Sequence, residues 1–228
     1  MGTRSETLSS VAFPRVVIVS RECARPYAQL AERLASAFLL VAFSPLLLAA
    51  AVLTYILSGK SPWIAHRRVG QYGNELWVPK IRTMWDRRER LAPLSSLFAI
   101  EYIDDEAGPN LKGAADARVG SRFARFCRRH SLDELPQLVL VLTGRMSLVG
   151  PRPVTPGELA RIYGPDAESI LRAKPGLSGL WQVSGRNRLT SAERRALDLQ
   201  SVHNRSLRLY VTILLRTVPE ILSGRNTW

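Results

Sequence analysis

Cysteine is nearly absent. Cys23 and Cys127 are too few for a disulfide framework and lack metal-ligand spacing, so both read as packing residues of a reducing compartment. Internal repeats and low-complexity tracts are also missing, and 228 residues are too few for two large globular domains. Acidic residues are scarce: 19 Asp and Glu stand against 32 Lys and Arg, for a formal net charge of +13. That balance asks for a partner of opposite sign, whether nucleic acid, anionic lipid or a phosphate-bearing substrate. Arginine supplies 28 of the 32 basic residues, a bias that a GC-rich genome could also produce.

What is present is first an apolar run. Ala35 to Leu57 carries no charge over 23 residues, and as a helix it would reach about 34 Å, enough for a hydrocarbon core of roughly 30 Å. It lies too far into the chain, and is too long, for a signal peptide. Pro45 removes a backbone donor near its midpoint and disfavours helix at Ser44. Arginines 15, 21, 25 and 33 flank one side and Lys60, Arg67 and Arg68 the other, so charge gives no orientation across the membrane. Two courses fit: a helix-break-helix hairpin that re-enters the same leaflet, with the Ser44 hydroxyl serving a carbonyl freed by Pro45, or a kinked span.

From residue 59 onward the chain reads as a compact, α-rich domain with few short strands. Apolar spacing is helical at Leu94–Ile103, Phe123–Cys127, Leu135–Leu142 and Leu207–Leu222, with Gly and Pro between. In the last of these, Arg208 and Arg216 share a face with the preceding Arg205, while Leu209, Ile213 and Val218 lie elsewhere, as in an interfacial helix or an ordinary surface helix.

The densest chemistry lies between Arg125 and Pro153, RFCRRHSLDELPQLVLVLTGRMSLVGPRP. Asp133 and Glu134 open an apolar helix just after Arg125, Arg128 and Arg129. Ser131 and Glu134 match a capping box, which would make the carboxylates structural. Pro136 suits a later start with Asp133 itself as cap. Either placement puts Asp133 at the positive end of a helix dipole, which favours the ionised form a carboxylate nucleophile needs. Gly150-Pro151-Arg152-Pro153 fixes one arginine between two prolines, either as a held phosphate-binding fork or as a rigid, solvated turn.

SLDELPQL and GRMSLVGPRP, preceded by RVGQYGNELWVPKIRTM and followed by KPGLSGLWQVSGRN, resemble in order the bacterial sugar transferase family of monotopic phosphoglycosyl transferases. The similarity is to short forms that initiate exopolysaccharide or lipid-linked oligosaccharide synthesis, without the multi-helix membrane region and nucleotide-binding-like fold of longer relatives. It implies a segment 1–29, a re-entrant membrane hairpin at 30–58 broken at Ser44-Pro45, and a catalytic domain at 59–228 on the cytoplasmic face of the inner membrane. It also implies transfer of a galactosyl- or glucosyl-phosphate from a UDP-sugar to polyprenyl (undecaprenyl) phosphate through a phosphosugar-aspartate, with UMP released. In that scheme Asp133 is nucleophile and ligand of Mg²⁺, and Glu134 assists as metal partner, acceptor-orienting group or base. Arg128, Arg152, Lys80 and Arg82 would hold phosphate, and Gln182 and Arg186 would contact nucleotide-sugar or headgroup. Anionic lipid is an expected partner; nucleic acid is not.

Four positions depart from the family pattern. Ile81 stands for Phe, Ala124 for Gly, Arg145 for an acid near the expected active centre, and Arg205 for a Trp that would anchor an interface. Two other readings remain: a basic membrane-surface or nucleic-acid-binding protein without catalysis, and an altered scaffold in which Arg145 has disabled the chemistry.

Overall fold

The computed structural model describes residues 26–85, 93–104 and 121–224. Cys23, Arg15, Arg21 and Arg25 lie outside the described residues. The described chain begins with helix α1 (Pro26–Ser58), followed by strands β1 (Trp63–Val69), β2 (Glu75–Ile81) and β3 (Ile100–Ile103). Short helices α2 (Arg122–Arg129) and α3 (Leu138–Leu142) lead to β4 (Ser147–Val149), α4 (Pro156–Glu158), α5 (Ala167–Leu171) and β5 (Gly176–Ser178). Helices α6 (Leu180–Val183), α7 (Ser191–His203) and α8 (Leu207–Ser223) complete it.

α1 runs as one 33-residue helix with Pro45 inside it. Pro45 has no N–H for the Val41 carbonyl four residues back, and the Ser44 hydroxyl donates to that carbonyl at 2.8 Å. Only 22% of the helix's apolar window is buried, and Leu30, Leu34, Phe38, Val41, Leu48 and Ile56 face outward. Of the described helices, this one is long and apolar enough to cross a membrane. α8 repeats the pattern on a smaller scale. Ile213 is buried against α6, while Leu207, Val211, Leu215, Val218 and Leu222 form an outward stripe at helical spacing. Val218 therefore belongs to the exposed face, not with Ile213.

The three strands form a sheet ordered β2-β1-β3. β1 and β2 are an antiparallel hairpin pairing Trp63 with Ile81 and Val69 with Glu75, and β3 joins β1 in parallel, with Ile100 opposite Trp63. The Leu94–Ile103 segment is thus not one helix. A single 3₁₀ stretch at Leu94–Phe98 gives way to β3, where alternating Ile and Tyr suit a pleated strand and the free edge of β1 supplies its partner. Leu76 and Val78 of β2 pack on Leu140, Val141 and Met146, and by strand alternation Lys80 shares their inward face. Ile81 is buried, and Ala124 packs against Trp85 and Met84, so both departures from the family pattern serve packing. Cys127 is fully buried, as a packing thiol should be.

β4 and β5 form a second, parallel pair at very close approach. Gly150 N–H donates to Ser178 O at 2.9 Å and Gly176 N–H to Pro151 O at 2.8 Å, so both ends of β5 grip the Gly150-Pro151 turn.

A buried polar group sits behind α6. Tyr163 donates to Asp198 Oδ2 at 2.6 Å, Arg194 Nε lies 4.0 Å from the same oxygen, and the Arg194 guanidinium stacks over Trp181. Burial pushes the Asp198 carboxyl up to about 6, against the pull of Tyr163 and Arg194. The folded-state value lies above the unfolded one of about 3.9. This carboxyl therefore favours the fold at low pH, and the benefit is lost as pH rises through about 6, a change approaching 3 kcal/mol. The melting temperature should fall between pH 4 and pH 7, and Asp198→Asn should shrink that fall. A fall of undiminished size in the variant would contradict the assignment.

Candidate functional site

β2, the turn after α2, the turn after β4 and the segment after α6 converge on the Asp133-Glu134 pair. The pair lies in a six-residue 3₁₀ helix, Leu132–Gln137, entered through Ser131 at φ 54°, a left-handed conformation uncommon for serine. No capping box forms there. The Glu134 carboxylate points instead to Lys80 Nζ at 2.8 Å and to Arg152, whose Nη2 and Nη1 donate at 2.7 and 3.4 Å. Ser131 Oγ accepts from Arg186 Nη2 at 3.2 Å. Once two cations claim Glu134, its side chain cannot also turn back on the Ser131 amide.

The two carboxyls titrate in opposite directions. Burial alone would raise Glu134, but the charges of Arg152 and Lys80, with their hydrogen bonds, hold it well below the usual carboxylate range. Burial pushes Asp133 up to about 6; Lys80, Arg128 and Arg152 pull it down, and the Glu134 charge adds to the rise. The expectation that a helix dipole would keep Asp133 strongly ionised is thereby reversed. A short 3₁₀ turn offers little dipole, and an 8% exposed carboxylate loses most of its hydration. Asp133 thus lies within the field of Lys80, Arg128 and Arg152.

Arg152 is held as its flanking prolines suggest, and the glycines of the Pro175-Gly176-Leu177-Ser178-Gly179 stretch explain what holds it. A Cβ at Gly176 would stand 2.0 Å from Gly150 N, and one at Gly179 would stand 2.6 Å from Gly150 O. This stretch is the bed of the turn carrying Arg152. Gln182, expected at the ligand, is 4% exposed and turned back so that Nε2 donates to Leu177 O at 3.4 Å.

Arg82 is not gathered with the others. Its buried guanidinium donates through Nε to Ser61 O at 2.7 Å and through Nη2 to Glu101, tying β2 to the start of β1 and to β3. Arg145 is exposed and donates to Glu75 O at 2.8 Å on β2, so its positive charge is engaged by a strand-end carbonyl. Arg128, on the last turn of α2, acts electrostatically on Asp133. Ser131 was foreseen only as a cap, and nothing in the local sequence signals its bond to a side chain 55 residues away.

Among the described residues no cluster of three or more His, Cys, Asp or Glu forms a metal cage. The donor set still suits a hard cation that takes one protein carboxylate and completes its shell with substrate phosphate oxygens and water, with Asp133 as that carboxylate.

The model of the bacterial sugar transferase family matches residues 24–224, which include the whole site. The exopolysaccharide production protein ExoY of Rhizobium meliloti (strain 1021) is 37% identical over 226 residues, spanning 96% of this chain and 97% of that protein. The UDP-glucose:undecaprenyl-phosphate glucose-1-phosphate transferase of Caulobacter vibrioides is 34% identical over 227 residues, 95% of this chain and 75% of its own. The undecaprenyl-phosphate galactose phosphotransferase of Salmonella typhimurium is 42% identical over 158 residues, 69% of this chain but 32% of that longer protein.

Proposed function

Because the chain belongs to the bacterial sugar transferase family, we propose that it transfers a galactosyl- or glucosyl-phosphate from a UDP-sugar to undecaprenyl phosphate, releasing UMP, as the first membrane step of exopolysaccharide synthesis. The observation that carries the chemical part of this reading is a buried Asp133, within the field of Lys80, Arg128 and Arg152, beside a Glu134 fixed by two cations. Family membership displaces the alternative of a basic, non-catalytic binding protein.

In the first step an Asp133 carboxylate oxygen attacks the β-phosphorus of the donor. The bond from that phosphorus to the bridging oxygen breaks, the electron pair and oxygen leave with UMP, and a phosphosugar-aspartate remains. A phosphate oxygen of the lipid then attacks the same phosphorus and returns the carboxylate. Covalent catalysis of this kind divides one hard phosphoryl transfer into two easier ones. A desolvated carboxylate that titrates near 6 is ionised at neutral pH yet more basic than an ordinary aspartate, which favours attack. Glu134 is a poor base where it stands. Its charge instead aligns Lys80 and Arg152, whose remaining N–H groups can meet phosphate oxygens, with Arg128 beside them. Mg²⁺, when bound, would neutralise charge developing on the diphosphate, with Asp133 and the substrate phosphates as its ligands.

The membrane reading rests on the outward apolar surfaces of α1 and α8. They suit a protein seated in the cytoplasmic leaflet of the inner membrane, with anionic headgroups near its basic surface. A re-entrant course for α1, bending at Ser44-Pro45, agrees with basic residues on both of its flanks.

The test is to incubate the detergent-solubilised full chain with Mg²⁺, undecaprenyl phosphate and UDP-galactose or UDP-glucose. UMP should appear with one of them; UDP in its place would mean that the sugar-oxygen bond breaks, and the proposal would be wrong. Cysteines introduced near residues 30 and 60 should react with a membrane-impermeant reagent from the same side, whereas opposite sides would establish a span.

A further inference from the structure

Glu32 joins three elements that lie far apart in the chain. Ser147 Oγ of β4 donates to Glu32 Oε1 at 2.6 Å, and the Tyr210 hydroxyl of α8 donates to the same oxygen. All three side chains are half-buried. Glu32 stands just ahead of the apolar run of α1 and on its packed face, since Ser36, one turn on, is fully buried. Arg33 beside it lies against the turn before β4, where a Cβ at Gly144 would stand 2.5 Å from Arg33 Nη2. β4 in turn leads directly into the Gly150-Pro151-Arg152 turn. α8 carries the connection onward. Its outward face is the apolar stripe, and its inward face presents Tyr210, Ile213, Thr217 and Ile221 at helical spacing. Thr217 Oγ1 lies 2.6 Å from Ser178 Oγ of β5, and the Ile221 carbonyl lies 2.8 Å from Nδ1 of His130, which precedes the Asp133 loop. Through α8 the Glu32 junction therefore reaches both the bed of the Arg152 turn and the nucleophile loop.

Apolar contact alone fixes poorly how a membrane helix sits on its neighbours, because lipid tails cover an apolar face as well as protein does; polar bonds between helices decide it. We propose that Glu32 is a positioning residue: by clasping β4 and α8 to the membrane helix it sets the height and tilt of the Asp133 site over the bilayer, and transfer to the lipid acceptor depends on it. The inference rests on the transferase reading of that site. The two substrates feel the clasp differently. A UDP-sugar arrives from water and reaches Asp133 whatever the height of the site. The phosphate of undecaprenyl phosphate is held at the membrane surface, so it meets the phosphosugar-aspartate only when the site is kept at the matching level. A hydroxyl donating to a carboxylate is among the stronger hydrogen bonds, and two of them converge on one Glu32 oxygen.

The experiment uses the full chain in phosphatidylglycerol vesicles with Mg²⁺ and UDP-galactose or UDP-glucose, and measures the two half-reactions separately. In vesicles without acceptor the UMP burst of Glu32→Ala should stay within about twofold of wild type, whereas in vesicles holding undecaprenyl phosphate its transfer should fall roughly tenfold or more. Glu32→Gln keeps an oxygen that accepts from both hydroxyls and should recover most of that loss. A water-soluble, short-chain prenyl phosphate should serve Glu32→Ala and wild type equally, because it needs no fixed height. Tyr210→Phe removes one of the two bonds and should show the same selective fall at smaller size, so it decides the matter if Glu32→Ala misfolds. Burst and transfer falling together would make Glu32 an ordinary structural residue and overturn the inference, as would wild-type transfer in both variants. Wild-type protein that yields no UMP would instead sink the transferase reading. Hydrogen exchange at Ser147–Val149 in vesicles would then decide the clasp, upheld if Glu32→Ala exchanges faster there and overturned if it does not.

Discussion

Asp133→Asn should abolish sugar-phosphate transfer, lowering turnover by at least about 10³-fold, because an amide offers no nucleophilic oxygen to phosphorus. The same change should leave the fold intact. Asn matches Asp in shape, and the burial that pushes the Asp133 carboxyl up to about 6 disfavours the charge being removed. At pH 7.5 the variant should therefore melt at or above the wild-type temperature while showing no UMP release beyond background. Loss of activity accompanied by a large fall in melting temperature would place Asp133 among the structural residues. Turnover close to wild type would remove it from the chemistry altogether.

Gly176→Ala should be among the most damaging single-methyl changes in the protein. The new Cβ would stand 2.0 Å from Gly150 N, 2.5 Å from Gly150 Cα and 2.6 Å from Ser178 O, all backbone atoms that cannot swing aside. β5 and the Gly150-Pro151 turn would have to separate, breaking the bonds that join Gly150 to Ser178 and Gly176 to Pro151. Overpacking of this kind costs roughly 3 kcal/mol or more. For a domain of this size that lowers the melting temperature by about 6–12 °C. Activity should fall further than stability alone explains, because the turn being displaced positions Arg152 against Glu134. Gly73→Ala is the control. Its φ is +79°, but open space surrounds it, so only the positive-φ backbone is penalised, at about 1 kcal/mol. Equal damage from the two changes would mean that glycine's flexibility, and not the close approach, is what Gly176 provides.

Much of this was legible in the sequence, for reasons that differ from residue to residue. The long apolar run could be read directly, but the helix continues through Pro45 where a break was one of the two courses expected. The bond from Ser44 to the Val41 carbonyl follows from the one donor that Pro45 lacks. The carboxylate pair and the proline-bracketed arginine were visible as a concentration of charge. Their mutual arrangement was not, because a capping box and a salt-bridge hub share the same local residues. Only the return of β2 beneath Glu134 brings Lys80 within 2.8 Å and decides between them. Arg82 shows the converse. It stands two residues from Lys80 in the same motif, yet a carbonyl at Ser61 and a carboxylate at Glu101 capture it, and both are set by strand pairing. The segment Ile100–Ile103 was misread for a similar reason, since a free edge on β1 recruits it as a strand. The glycines of the Pro175–Gly179 stretch let two backbones touch, a close approach that no local sequence signal announces. Burial is the quantity that sequence conveys least, and it is burial that sets the titration of Asp133.

The measurement that bears most directly on the whole account is the intact mass of the enzyme after mixing with Mg²⁺ and its UDP-sugar in the absence of lipid acceptor. One sugar-phosphate should add to the protein as one equivalent of UMP is released. The adduct should map to the peptide containing Asp133, disappear on addition of undecaprenyl phosphate, and never form in Asp133→Asn. Full turnover with no adduct, or an adduct on another residue, would contradict a phosphosugar-aspartate at Asp133.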